Sequence, residues 1–185
     1  MRSQWIPALS TALLWVGCAA PAEEAASASP ADRVVPIRFA LEVGSDVQGP
    51  IYVQLSGEDN QPGWISAFRG SERVYFRERC EIEDCGSNAV CGVSIPMVQD
   101  IADPGATGVI ELMWDGLTSV ADPVAGCELR QPAPQGEYVA RFCYSREAEL
   151  EGGVAPTNPV PGGLVRATCT DLPFTLLERE VVLRI

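Results

Sequence analysis

The chain has 185 residues, a formal net charge of -12 and no histidine, and all 13 of its basic residues are arginine. That inventory excludes Ser-His-Asp and Cys-His machinery, histidine general bases and Schiff-base lysines. The acidic balance opposes nucleic acid, which needs a basic face, and adsorption to anionic headgroups.

In chain order, Arg2 supplies a positive n-region and Ile6 to Val16 an apolar core of secretory-signal length. A transmembrane helix needs roughly 20 apolar residues, and neither this run nor any later one reaches that length. The run Leu13-Leu14-Trp15-Val16-Gly17-Cys18 resembles the lipobox of bacterial lipoproteins. The resemblance implies that 1–17 is a signal peptide and that Cys18 becomes the lipidated mature N-terminus. Each buried methylene then contributes about 0.8 kcal/mol, and two or more acyl chains hold stably. Membrane contact would come through this lipid. Ala19 is non-acidic, which by resemblance to Gram-negative lipoproteins favours the outer membrane of the cell envelope. A second route stays open: Ala20-Pro21-Ala22 is a small-residue site, and cleavage after Ala22 would release a secreted, soluble protein without Cys18. Residues 18–33 are poor in large apolar side chains and read as a flexible tether. The remaining 34–185, about 150 residues, has the size of one domain.

Within that domain apolar and polar residues alternate in short runs, the mark of half-buried strands. Val35, Ile37, Phe39, Leu41 and Val43 share one face of the first run. Ile51 to Leu55 forms the second, after a turn at Gly49-Pro50. Residues 57–63 form a loop, followed by a strand from Trp64 to Phe68. In Glu72 to Glu78, Val74 and Phe76 oppose Arg73, Tyr75 and Arg77. Gly108 to Trp114 and Glu137 to Ser145 are further strands. The chain closes with Phe174 to Leu177, a turn at Glu178-Arg179-Glu180, and Val181 to Ile185. Val154 to Gly163, rich in proline and glycine, reads as a long loop. No window carries a helical stripe. The predicted fold is an all-β, immunoglobulin-like antiparallel β-sandwich with a disulfide-rich loop.

Cys18 aside, six cysteines are left: Cys80, Cys85, Cys91, Cys127, Cys143 and Cys169. An even number in an exported chain predicts disulfides, and six cysteines allow 15 pairings. The rival is a zinc site at Cys80, Cys85 and Cys91. Their spacing is wider than the usual ligand pairs and no histidine assists, so no metal and no cofactor are expected.

Two segments carry a resemblance. Val109 to Gly116 ends in Trp114-Asp115-Gly116, and Pro134-Gln135-Gly136-Glu137-Tyr138 opens the next strand. Trp-Asp-Gly followed by Pro-x-Gly-x-Tyr resembles a pair found in bacterial extracytoplasmic immunoglobulin-like modules, such as those of flagellar hook-capping proteins, and is broadly similar to BsuPI-type proteinase-inhibitor domains. The tryptophan would pack over the core, Asp115 and Gly116 would make the turn, and Tyr138 would bury its ring with its hydroxyl on a polar partner. Leu117 to Pro132, which holds Cys127, reads as an insertion in this pattern. The whole chain resembles the cysteine-containing lipoproteins of high-GC Gram-negative bacteria.

Each remaining candidate site has two readings. Glu81, Glu83, Asp84 and Asn88 offer oxygens to calcium or form a solvated loop. Arg73, Arg77 and Arg79 beside Tyr75 form a carboxylate- or glycan-contacting patch, or an edge that resists strand pairing. Trp64 and Trp114 are sugar-stacking platforms or core. Glu111 and Asp115 are a carboxylate pair for glycoside chemistry, or Asp115 serves its turn. The functional expectation is a membrane-anchored, non-catalytic envelope module that binds or scaffolds a protein or glycan partner. The alternative is a secreted hydrolase or proteinase inhibitor, and an enzyme is not expected.

Overall fold

Alternation along the strands sets which side chains enter the core. A computed structural model of the chain describes residues 35–57, 59, 61–77, 95–103, 106–121, 128–151 and 159–185. Among these residues there is no α-helix. The strands are β1 (Ile37–Glu42), β2 (Tyr52–Gln54), β3 (Ile65–Arg69), β4 (Glu72–Val74), β5 (Met97–Asp100), β6 (Val109–Trp114), β7 (Leu117–Ala121), β8 (Glu128–Pro132), β9 (Glu137–Tyr144), β10 (Glu147–Leu150), β11 (Val160–Val165), β12 (Thr168–Thr175) and β13 (Glu180–Arg184). Cys18, the signal and tether segments, Cys80, Cys85, Cys91, Cys127, Arg79 and the acidic candidates Glu81, Glu83, Asp84 and Asn88 lie outside the described residues.

The strands assemble into an all-β sandwich. One sheet has the order β12-β9-β3-β4, a second β13-β1-β6 and a third β10-β11-β5-β2, while β7 and β8 form a separate hairpin. The ladders are antiparallel except for β1 with β13, which run parallel in the register Phe39↔Val181. That parallel pair follows from the end of the chain. The turn after β12 does not fold β13 back onto it but carries it to the β1 sheet.

Ile37, Phe39 and Leu41 of β1, Ile65 and Ala67 of β3, and Tyr138, Ala140 and Phe142 of β9 are buried in one cluster. These are the same-face residues of each run, as period-two geometry requires. Phe39 joins two sheets, its ring 5.2 Å from Phe174 on β12 and edge-on to it.

The third sheet attaches through β2. Tyr52 bridges Ser145, just past the end of β9. Asp100 is buried and its Oδ1 accepts from the Ile51 and Ala102 amides at 3.0 and 2.9 Å. A buried carboxylate is thereby spent on two backbone donors that no ladder serves.

Three expectations are revised. Leu117 to Pro132 contains paired strands, β7 and β8, in the register Ser119↔Arg130. Val160 to Gly163 lies in β11 rather than in a loop. Pro161 fits because its missing N–H costs nothing where its carbonyl is what bonds, accepting from the Glu151 amide at 3.0 Å. Gly162 fits because any Cβ there would run into the Glu149 carbonyl oxygen. The last long strand starts at Thr168, well before Phe174.

Gln61 fastens the 57–63 loop to the core. Its side chain is buried, and its Nε2 donates to the carbonyls of Asp59 and Arg77, each at 2.9 Å. Its Oε1 accepts from the Phe76 and Arg77 amides at 2.9 and 3.2 Å. Gln61→Ala strands the buried Phe76 amide and is expected to lower stability by about 2 kcal/mol. Urea unfolding should show a lower midpoint at unchanged slope. A midpoint equal to that of the parent would mean the loop is held by other contacts.

On the outer face of β9 and β12, Arg141 and Asp171 are cross-strand partners joined by two bonds of 2.7 and 2.8 Å. The Arg141 guanidinium holds the Asp171 carboxyl below its ordinary range. A carboxylate with a lowered folded-state pKa contributes stability that is present above its unfolded pKa, about 3.9, and is lost as pH falls through the folded value. Asp171→Asn should therefore flatten the acid side of the stability profile below about pH 4. An unchanged acid limb would count against the pair.

Candidate functional site

The Trp-Asp-Gly segment does more than pack. Trp114 sits at the end of β6 with 1% of its surface exposed, ringed by Phe39, Phe76, Tyr138 and Phe174 at centroid distances of 6.2, 5.7, 6.2 and 6.3 Å. Its indole N–H donates to the Leu117 carbonyl at 2.6 Å. Asp115 Oδ1 accepts from the Leu117 amide at 2.9 Å, a side-chain turn that starts β7. Gly116 takes a φ of 75°, which a side chain would resist, and its carbonyl accepts from Ala133 N at 2.9 Å. The β7–β8 hairpin is thus fixed at its base.

Two contacts tie the hairpin to the segment that follows β4. Tyr75 N donates to Thr118 Oγ1 at 3.4 Å, and Arg130 reaches the Phe76 carbonyl at 3.4 Å while its other nitrogen holds Asp115 at 3.1 Å. Between β4 and β7 lies a groove of about 330 Å³. Val74, Thr118, Ser119 and Tyr138 are its buried lining, and Arg69, Glu72 and Arg73 are its charged lining. Tyr138 donates its hydroxyl to the Pro134 carbonyl, so both ends of the Pro-x-Gly-x-Tyr segment line this groove. Burial pushes the Tyr138 phenol up, with Arg69 opposing and Glu72 adding to the shift. The phenol therefore stays protonated and keeps its donor role.

Ser119 is 7% exposed, and its Oγ has no hydrogen-bond partner. A buried hydroxyl left unpaired costs about 1–3 kcal/mol. Arg69 donates to the Gln135 carbonyl at 3.4 Å, and the Arg73 guanidinium lies 5.7 Å from the centroid of the Tyr75 ring. Neither forms an ion pair among the described residues. A larger hollow of about 530 Å³ runs along β10 and β11 beside Glu149 and Glu151, but among the described residues no buried unpaired polar atom lines it.

The sequence-derived candidates separate as follows. Arg73 and Tyr75 line the groove, whereas Arg77 is exposed outside it. β4 is an edge strand, so the arginines on this segment also sit where they discourage strand addition. Trp64 and Trp114, at 3% and 1% exposure, have no free face for a sugar, which removes the stacking-platform reading. Glu111 bonds Arg38 at 2.8 Å and Asp115 bonds Arg130, so each carboxylate is held by its own arginine. Cys143 and Cys169 form a disulfide. Arg69, Glu72 and Ser119 carried no motif. Ser119 falls in the stretch read as an insertion, and the strand pairing that buries it spans residues far apart in the alternation pattern.

Comparison with protein-family models, with curated proteins and with solved structures finds no match for this chain. The groove brings together two guanidinium forks, one hydroxyl donor and apolar side chains.

Proposed function

We propose that the chain is an envelope lipoprotein, anchored through a lipidated Cys18, whose immunoglobulin-like sandwich is a non-catalytic binding module. The observation that carries the binding role is the groove between β4 and β7, where the buried Ser119 hydroxyl is unpaired and Arg69 and Arg73 form no ion pair among the described residues. A volume of about 330 Å³ is at the small end of ligand sites, which run roughly from 300 to 1,000 Å³. The anchor rests on the Gly17-Cys18 pair directly after the apolar run, and 18–33 would serve as its tether.

Detergent phase partition tests the attachment. The parent should enter the detergent phase and Cys18→Ala the aqueous phase, whereas a parent found in the aqueous phase would support secretion after Ala22. A panel of proteases tests the inhibitor alternative: no inhibition at micromolar protein is expected, and clear inhibition would replace the module reading.

A further inference from the structure

We infer that the groove between β4 and β7 takes a carboxylate carried on a small apolar segment, and that Arg69, Arg73 and Ser119 are the residues that hold it. The proposal rests on reading the domain as a binding module and names the ligand chemistry of that site.

The first ground is an imbalance of pairing. Acidic residues outnumber basic ones 25 to 13 in this chain, so an arginine can readily find a partner. Arg38, Arg130, Arg141, Arg166 and Arg184 do so. Arg69 and Arg73, like Arg77, Arg146 and Arg179, form no ion pair among the described residues, although Glu72 is the cross-strand neighbour of Arg69; of these five, only Arg69 and Arg73 line the groove. Both therefore keep free N–H donors at one groove. A guanidinium presents those donors as a planar fork, which matches the two oxygens of a carboxylate.

The second ground is Ser119. Its hydroxyl is buried, lines the same groove and lacks an acceptor. A ligand oxygen on the floor would accept that proton and recover the cost of leaving it unpaired. The third is the rest of the lining. Val74, Val120, Ala121 and Pro134 offer apolar surface beside the donors, fit for a short aliphatic group. Glu72 adds one negative charge to the same wall, which disfavours a phosphate dianion more than a monoanionic carboxylate.

The carboxylate could be a peptide C-terminus or an acidic side chain. Isothermal titration calorimetry of the full chain against three probes separates them: acetyl-Ala-Ala-Val with a free carboxylate, its C-terminal amide, and acetyl-Ala-Glu-Ala amide. At least one acidic probe should bind tenfold or more tightly than the amide of the first peptide, and which one does so identifies the source. Arg69→Ala and Arg73→Ala should each weaken that binding about tenfold, a loss typical of a charged hydrogen bond. Ser119→Ala should weaken it severalfold. Arg69 is exposed and Arg73 half-exposed, so unchanged thermal midpoints should accompany these losses. Equal binding of acids and amide, no binding of any probe at millimolar concentration, or binding indifferent to both arginine substitutions would each overturn the assignment. Such a result would leave the anchored-module reading standing, because detergent partition of the chain does not involve the groove.

Discussion

Trp114→Ala is expected to destabilise the domain by about 3–5 kcal/mol, the usual cost of deleting a large buried aromatic. The residue touches four other rings drawn from β1, β9, β12 and the segment after β4, so its loss opens a cavity shared by two sheets. It also frees the Leu117 carbonyl, which its indole N–H satisfies. A domain of this kind has a total stability of about 5–15 kcal/mol, so the substitution removes a large part of it. Chemical denaturation should show the loss, and the groove should lose ligand affinity in step, because Leu117 begins the hairpin that carries Ser119. A loss below about 1 kcal/mol would mean that Trp114 is not the hub of this core.

The second large effect concerns the disulfide. Cys143 and Cys169 are direct cross-strand partners on β9 and β12. The Cys143 amide donates to Trp64, on the side of β3, so on the β12 side the pair makes no backbone bonds of its own. Such pairs bring the Cα atoms closest, and here they are 4.2 Å apart. The bridge closes a segment with a sequence separation of 26, for which loop-closure entropy gives about 3.5 kcal/mol. The double variant Cys143→Ala/Cys169→Ala should thus unfold about 10 °C lower. Its two alanines leave the strand register intact, so the folded state should keep its far-UV spectrum. An unchanged midpoint would show that the bridge does not measurably restrict the unfolded chain.

Much of the sandwich was legible because its longest strands alternate cleanly. Phe39 on β1, Leu112 on β6 and Phe142 on β9 each fall on the face that alternation assigns. The short strands were harder to see. In β8, Glu-Leu-Arg-Gln-Pro offers one large apolar residue, and in β11 the run Val-Pro-Gly-Gly-Leu-Val reads as a break. β11 becomes a strand partly through a partner distant in sequence, Pro161 with Met97, and β8 through its hairpin with β7. The same limit hid the site. Trp114-Asp115-Gly116 and Gly136-Tyr138 stood out as turn and packing residues; Tyr138 lines the groove, and Trp114 packs against its ring. Gly136, at a φ of 146°, lies against Arg69 with its would-be Cβ 3.4 Å from the Arg69 Nε. Arg69 and Ser119 are ordinary residues until β3 with β4 and β7 with β8 bring them to one hollow. Hydropathy cannot report an unpaired hydroxyl, because pairing is a property of the assembled neighbours. Of the six cysteines, the Cys143–Cys169 bridge could not be chosen from 15 pairings by spacing, and only the β9–β12 register selects it.

The proposed anchor is a lipidated Cys18 that tethers this module to a membrane. Mass spectrometry of the N-terminal peptide from membrane-extracted protein tests it most directly. The expected peptide begins at Cys18 and carries the added mass of acyl chains, and Cys18→Ala yields no such species. An unmodified peptide beginning at Glu23 would contradict the claim and place the module free in solution outside the cytoplasm.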